Sequence, residues 1–173
     1  MNLQSRPLEV RNLVKSFGRP SRFTLKRRGA ETKPPPRALD GISFSVERGE
    51  IFGIIGANGS GKSTLIRIIS TLLLPDEGSV EVFGADVARD AAAVRPLINR
   101  VSVDPSFFKN MSSLENLLFF GRIYGLSKAE VMTKAPEILE RLGFESSRMR
   151  QAMSDLSRGQ QQKVALARSF LTS

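Results

Sequence analysis

Gly56-Ala57-Asn58-Gly59-Ser60-Gly61-Lys62-Ser63 spells G-x-x-x-x-G-K-S, and the apolar run Ile51-Phe52-Gly53-Ile54-Ile55 leads into it. That run reads as a buried strand, and Leu65-Ile66-Arg67-Ile68-Ile69 after the loop reads as an apolar helix. A strand before and a helix after separate a phosphate-binding P-loop from the competing reading, a plain glycine turn. Glycine admits positive φ, so the loop can turn successive N–H groups inward on phosphate oxygens. Gly56, Asn58, Gly59, Ser60 and Gly61 would line the phosphates, with Lys62 reaching the β and γ phosphates. Ser63 would ligate Mg²⁺, Thr64 would hydrogen-bond a phosphate, and the helix opening near Gly61 would aim its positive end at the anion. Mg-ATP or Mg-GTP is the implied ligand.

The 173 residues, 40% of them hydrophobic, suffice for one domain with a sizeable core and fall short of two. The chain has no Cys and no His, which excludes disulfides and thiolate metal sites and removes the commonest general base. No apolar stretch is long enough to span a bilayer, and Met1-Asn2-Leu3-Gln4-Ser5-Arg6-Pro7 lacks the apolar core of a signal peptide. A cytoplasmic chain is expected. The net charge of +9 is concentrated in residues 19–37, where Arg19, Arg22, Lys26, Arg27, Arg28, Lys33 and Arg37 face only Glu31. Pro20, Gly29 and Pro34-Pro35-Pro36 make this stretch an irregular solvated loop. Contact with anionic lipid headgroups is its functional alternative. Nucleic acid is not expected, because only Phe23 interleaves the charges for stacking on bases.

Leu8-Glu9-Val10-Arg11-Asn12-Leu13-Val14 and Ile42-Ser43-Phe44-Ser45-Val46 alternate apolar and polar residues, as strands of an antiparallel β layer do. Ser79-Val80-Glu81-Val82-Phe83 is a further strand after the turn Leu74-Pro75-Asp76-Glu77-Gly78. Asp90 is placed to cap a short Ala-rich helix, and Val101-Ser102-Val103 reads as a brief strand. Ser112 with Glu115, and Ser127 with Glu130, are capping boxes that open two helices. The second carries Val131, Ala135, Ile138, Leu139 and Leu142 on one face, and Pro136 is expected to kink or split it. A last helix carries Val164, Ala167 and Leu171.

Leu156-Ser157-Arg158-Gly159-Gln160 opens that last helix, followed by Lys163-Val164-Ala165-Leu166-Ala167-Arg168. A P-loop followed by L-S-R-G-Q and a K-V-A-L-A-R helix resembles the ATP-binding cassette (ABC) ATPases, whose signature is usually L-S-G-G-Q. Phe17, in Lys15-Ser16-Phe17-Gly18, matches the family's adenine-stacking aromatic, with core packing as its alternative, and Glu115-Asn116-Leu117 matches the familiar E-N-L. The resemblance implies an α/β P-loop NTPase-type ABC cassette: an antiparallel β layer over 1–50, a P-loop core over 51–103 and a helical subdomain with the signature helix over 104–173. It implies ATP and Mg²⁺ as ligands. Ser157, Arg158, Gly159 and Gln160 would meet the γ-phosphate of ATP held by the P-loop of a second ABC domain, in a homo- or heterodimer. A hydroxyl, an unobstructed backbone N–H and a helix N-terminus suit that task chemically, the alternative being Ser157 as an ordinary N-cap with an accidental Gln run.

Two departures from the family pattern stand out. Aligning Glu115-Asn116-Leu117 with E-N-L puts Val103 where the Q-loop glutamine belongs, and Asp104 beside it is the candidate substitute at Mg²⁺. The family's Walker B carboxylates, D-loop and switch His have no match up to Ser173, so the catalytic residues are unassigned. The resemblance then implies a partial cassette that binds ATP, hydrolyses it poorly alone and leaves strand edges uncovered. The function implied is the ATP-binding subunit of an ABC transporter, peripheral on the cytoplasmic side of the membrane and coupled to a transmembrane permease subunit. Leu72-Leu73-Leu74-Pro75-Asp76-Glu77-Gly78-Ser79-Val80 and Phe119-Phe120-Gly121-Arg122-Ile123-Tyr124-Gly125-Leu126 lean to the export type. The alternatives are a nucleotide-binding remnant without hydrolysis and a soluble ABC protein outside transport.

Overall fold

The structure, a computed structural model, describes residues 5–18 and 36–171. It divides into two compact units that meet in sequence at Ile98 and Asn99. The basic stretch expected as a solvated loop therefore lies, for residues 19–35, outside the described residues. Its last member, Arg37, opens a strand and pairs with Asp40.

In the first unit, β1 (Leu8–Ser16) lies at the centre of a four-stranded sheet of order β2-β1-β3-β4. β2 is Arg37–Val46, β3 is Glu77–Val82 and β4 is Ala85–Asp86, and every pairing is antiparallel. The expected antiparallel layer is present and reaches beyond residue 50, through β3 and β4. Val10 faces Phe44 on one side and Val80 on the other, so three strands place apolar residues in one row. The strict alternation of β1 breaks at Arg11 and Asn12, where the register shifts and Asn12 takes φ 45°. That bulge puts Leu13 and Val14 both under cover. Gly78 answers it from β3: a Cβ there would lie 2.4 Å from the carbonyl oxygens of Arg11 and Asn12. Over the sheet lies α1 (Lys62–Ile69), whose Leu65 and Ile68 join Val10, Leu13, Leu39, Val80 and Val82 in one buried cluster. Two short helical turns, α2 (Ala91–Val94) and 95–97, complete the unit. Asp90 stands at the N-cap of α2, but its side chain makes no capping bond.

The strand expected over Ile51–Ile55 is not formed among the described residues. Ile51 and Ile55 are 99% and 98% exposed, while Phe52 stacks on Phe44 at 4.8 Å and Ile54 packs, partly buried, against the core cluster. An apolar run favours an extended chain, but a strand exists only against a neighbour that accepts its N–H and C=O groups. β1 occupies the one edge of β2 that is paired, and no described strand takes up residues 51–55.

The second unit is helical. α3 (Ser113–Ile123) and α4 (Lys128–Arg141) each begin on a complete capping box, Ser112 with Glu115 and Ser127 with Glu130, as the sequence predicts. α4 runs unbroken through Pro136, so the expected split does not occur. The carbonyl that Pro136 leaves without an N–H is that of Met132, which sits on the exposed side where water can serve it, while Val131, Ala135 and Leu139 keep the buried face intact. α5 (Arg158–Leu171) packs Val164, Ala167 and Leu171 against Leu117, Leu139 and Phe144. The brief strand expected over Val101-Ser102-Val103 is absent, and these residues belong to a loop that α5 holds by side-chain bonds.

Candidate functional site: the P-loop and the start of the signature helix

The P-loop geometry follows from three glycines with separate duties. Gly59 and Gly61 take φ 83° and 88°, which side chains with a Cβ rarely adopt. Gly61 is also pinned against β2: a Cβ there would lie 2.2 Å from the carbonyl oxygen of Ala38 and 2.8 Å from Leu39 Cδ2. At Gly56 a Cβ would meet Ser60 Oγ at 2.7 Å. Gly61 is thus the N-cap of α1 and offers no side chain to it. The first-turn N–H groups of a helix have no intrahelical acceptor, and none is capped here, so Lys62, Ser63 and Thr64 present amides at the positive end of α1. Lys62 Nζ sits inside the loop, donating to the carbonyls of Gly56 and Ala57 at 2.7 Å each and approaching Ser60 Oγ at 3.4 Å. A cation, a row of amides and an exposed hydroxyl on Ser63 converge on a surface fitted to a polyphosphate.

Phe17 follows β1 and is 45% exposed, outside both buried clusters, so it is not a core residue. Lys15 Nζ lies 5.9 Å from its ring centroid and is itself anchored on Asp76, 2.6 Å away. The Lys15 ammonium and the Ser16 N–H hold the Asp76 carboxyl below its ordinary pKa.

At the start of α5, Ser157 N donates to Gln160 Oε1 at 2.9 Å and Gln160 N donates to Ser157 Oγ at 3.3 Å. These reciprocal bonds are a third capping box with S-x-x-Q spacing, which makes Ser157 the N-cap of α5. Gln160 is therefore a capping residue, Ser157 keeps its hydroxyl proton free to donate, and Gly159 faces open space where a Cβ would stand. Gln161 ties the turn down through bonds to the carbonyls of Met153 and Leu156. Arg158 turns aside to pair with Asp104. The candidate substitute at the Q-loop position and the Arg of the L-S-R-G-Q stretch thus meet in one ion pair. Among the described residues no group of three His, Cys, Asp or Glu side chains could hold a metal, so Asp104 is no part of a preformed carboxylate cage.

Asn116, singled out by sequence only as the middle of E-N-L, is fully buried. Its amide donates to the carbonyls of Phe108, Met111 and Ser112, and its carbonyl accepts from Phe108 N at 2.9 Å. It latches the 108–112 loop to α3. The Ser112 hydroxyl and N–H lower the Glu115 pKa, and those of Ser127 do the same to Glu130.

Comparison with known proteins agrees with this geometry. The ABC transporter family matches residues 39–173. The chain is 34% identical over 146 residues to the ABC transporter ATP-binding protein NatA of Bacillus subtilis, covering 84% of this chain and 59% of that protein. It is 43% identical over 111 residues to the doxorubicin resistance ATP-binding protein DrrA of Mycobacterium tuberculosis, covering 62% and 32%. It is 42% identical over 139 residues to the methionine import ATP-binding protein MetN of Caulobacter vibrioides, covering 78% and 42%. Among solved structures, the ADP conformation of MJ1267, an ATP-binding cassette of an ABC transporter, superposes with a TM-score of 0.75 at 33% identity over 97% of this chain and 65% of that one. The chain therefore spans less than two thirds of the length of each of these proteins. With a P-loop at the head of α1, a capped signature at the head of α5 and a family match over most of its length, the chain belongs to the ABC transporter ATP-binding family.

Proposed function

We propose that the chain is the ATP-binding subunit of an export-type ABC transporter, working from the cytoplasmic face of the membrane with a transmembrane permease subunit. One observation carries the reading: a single chain presents two helix starts shaped for phosphate, the uncapped head of α1 around Lys62 and the head of α5 with its open Gly159. In this reading Gly56, Asn58, Gly59, Ser60, Gly61 and Thr64 contact the phosphates, Lys62 neutralises the β and γ groups, and Phe17 stacks on adenine. Ser157 and Gly159 close on the γ-phosphate of ATP carried by a second ABC domain, so ATP binding drives association.

The Ser63 hydroxyl fits Mg²⁺, an ion that takes few protein ligands and is otherwise held by phosphate oxygens and water, and it would supply charge neutralisation at the phosphates. ATP turnover is assigned to the assembled pair. Relatives named for drug resistance support export, while MetN, named for methionine import, is similar to a like degree. No helix among the described residues is long and apolar enough to cross a membrane, which fits a peripheral subunit. The basic stretch 19–37 is assigned to anionic headgroups near the permease. The test is equilibrium ATP binding followed by transport in vesicles carrying the protein and its permease. Lys62→Ala should abolish binding, and substrate should move out of the ATP-containing compartment. Undiminished ATP binding by Lys62→Ala refutes the site, and movement into that compartment refutes export.

A further inference from the structure

Residues 99–107 contain no helix or strand, yet α5 holds them along its whole length. Asn99 Nδ2 donates to the carbonyl of Ser169 at 2.9 Å, Gln162 Nε2 to that of Ser102 at 3.1 Å, and Arg168 Nη1 to that of Ser106 at 3.4 Å. The Arg168 guanidinium also lies over the Phe107 ring at 5.2 Å. Each polar contact in this set uses a main-chain oxygen. The bond from Arg158 Nη2 to the Asp104 carboxylate instead joins two side chains of opposite charge.

That pair is a poor structural brace. Asp104 and Arg158 are 84% and 72% exposed, a setting in which water and salt screen most of the attraction. Its position gives it another meaning. Arg158 is the first residue of α5, a cation at the positive end of a helix, where the dipole favours an anion. Asp104 is the anion the chain itself supplies. A guanidinium that holds one carboxylate oxygen in water can exchange it for a phosphate, which offers more acceptors and more charge.

We propose that Asp104 is an intrachain counter-ion that competes with the nucleotide's phosphate for Arg158, so that ATP-driven association requires Arg158 to leave Asp104. This rests on the reading above, in which the head of α5 meets ATP carried by a second copy. Arg158 then adds a charge to the signature contact, and Asp104 sets the threshold for making it.

The signs of two substitutions test the idea in the intact protein, with association in Mg-ATP followed by sedimentation. Asp104→Asn should tighten association about 1.5- to 5-fold, the range an exposed pair supports. Arg158→Gln should weaken it by at least about fivefold, with circular dichroism unchanged because the Ser157–Gln160 box remains. Adding Asp104→Asn to Arg158→Gln should change nothing further, and the gain from Asp104→Asn should shrink at high salt. Asp104→Asn that leaves association unchanged or weaker overturns the proposal, the weaker result pointing to Asp104 at Mg²⁺. A gain that persists without Arg158 also overturns it. If the unaltered protein shows no ATP-dependent association, the sandwich reading itself falls.

Discussion

Gly59→Ala and Gly61→Ala look equivalent in sequence and should behave differently. Both residues hold positive φ, 83° and 88°, so a methyl group at either costs about 1–2 kcal/mol of backbone strain. At Gly59 nothing lies within 4 Å of the added carbon, and the cost ends there. At Gly61 the carbon would stand 2.2 Å from the Ala38 carbonyl oxygen, roughly 1 Å inside contact, and 2.8 Å from Leu39 Cδ2. Leu39 is buried in the first unit's core, so β2 or α1 must shift, adding about 1–3 kcal/mol. The total for Gly61→Ala is about 2–5 kcal/mol. Amide exchange at Val10, Leu13 and Val80 reads this unit directly, and ATP titration reads the loop. Gly61→Ala should accelerate exchange in β1 and β3 and lose ATP binding, while Gly59→Ala should show the smaller effect on exchange. Equal destabilisation by the two would refute the close approach of the loop to β2 as the reason for Gly61.

Asn116→Ala removes four hydrogen bonds from a buried site and should cost about 2–4 kcal/mol, seen as lost exchange protection at the Phe108 amide while amides of the first unit are unaffected. Protection retained at Phe108 would show that the 108–112 loop stands without its latch. The lowered pKa values of Asp76, Glu115 and Glu130 set the acid response. A carboxyl whose folded pKa lies below its unfolded value stabilises the fold above the unfolded value and loses that contribution as pH falls through the folded one. Stability should thus be flat with respect to these groups above about pH 5 and decline below about pH 4, the decline lessened in Glu115→Gln. Denaturant midpoints that rise between pH 5 and pH 3 would contradict it.

What could be read from sequence is what local chemistry determines. Positive-φ glycines around Lys62, and Ser-x-x-Glu at Ser112 and Ser127, carry their constraint within a few residues, and each appears where expected. Ser157-x-x-Gln160 carries the same signal, so the N-cap expected as the alternative at Ser157 is formed within the signature itself. Partnership at a distance could not be read. Ile51–Ile55 has the composition of a strand and no described neighbour to pair with, and in the loop Val101–Val103 the Ser102 carbonyl accepts from the Gln162 side chain of α5 instead of from a neighbouring strand. That Pro136 leaves α4 unsplit was not legible, because its cost depends on which face of α4 carries the orphaned carbonyl, and packing decides that. The antiparallel layer extends to Asp86 for a similar reason: β3 pairs with β1, across more than sixty residues of chain.

The central claim is that ATP joins the P-loop of one copy to the signature of another, and mixing two disabled forms tests it most directly. Lys62→Ala removes the cation from the P-loop. Gly159→Asp sets a negative charge against phosphate at a position with room for the side chain, in a first helical turn that favours acids, so the fold should not suffer. Sedimentation in Mg-ATP should show neither variant associating alone, and a mixture forming a dimer with one ATP bound, because one composite site is rebuilt. Association of Gly159→Asp alone at the level of the unaltered protein, or a mixture that stays monomeric while the unaltered protein associates, would contradict the account.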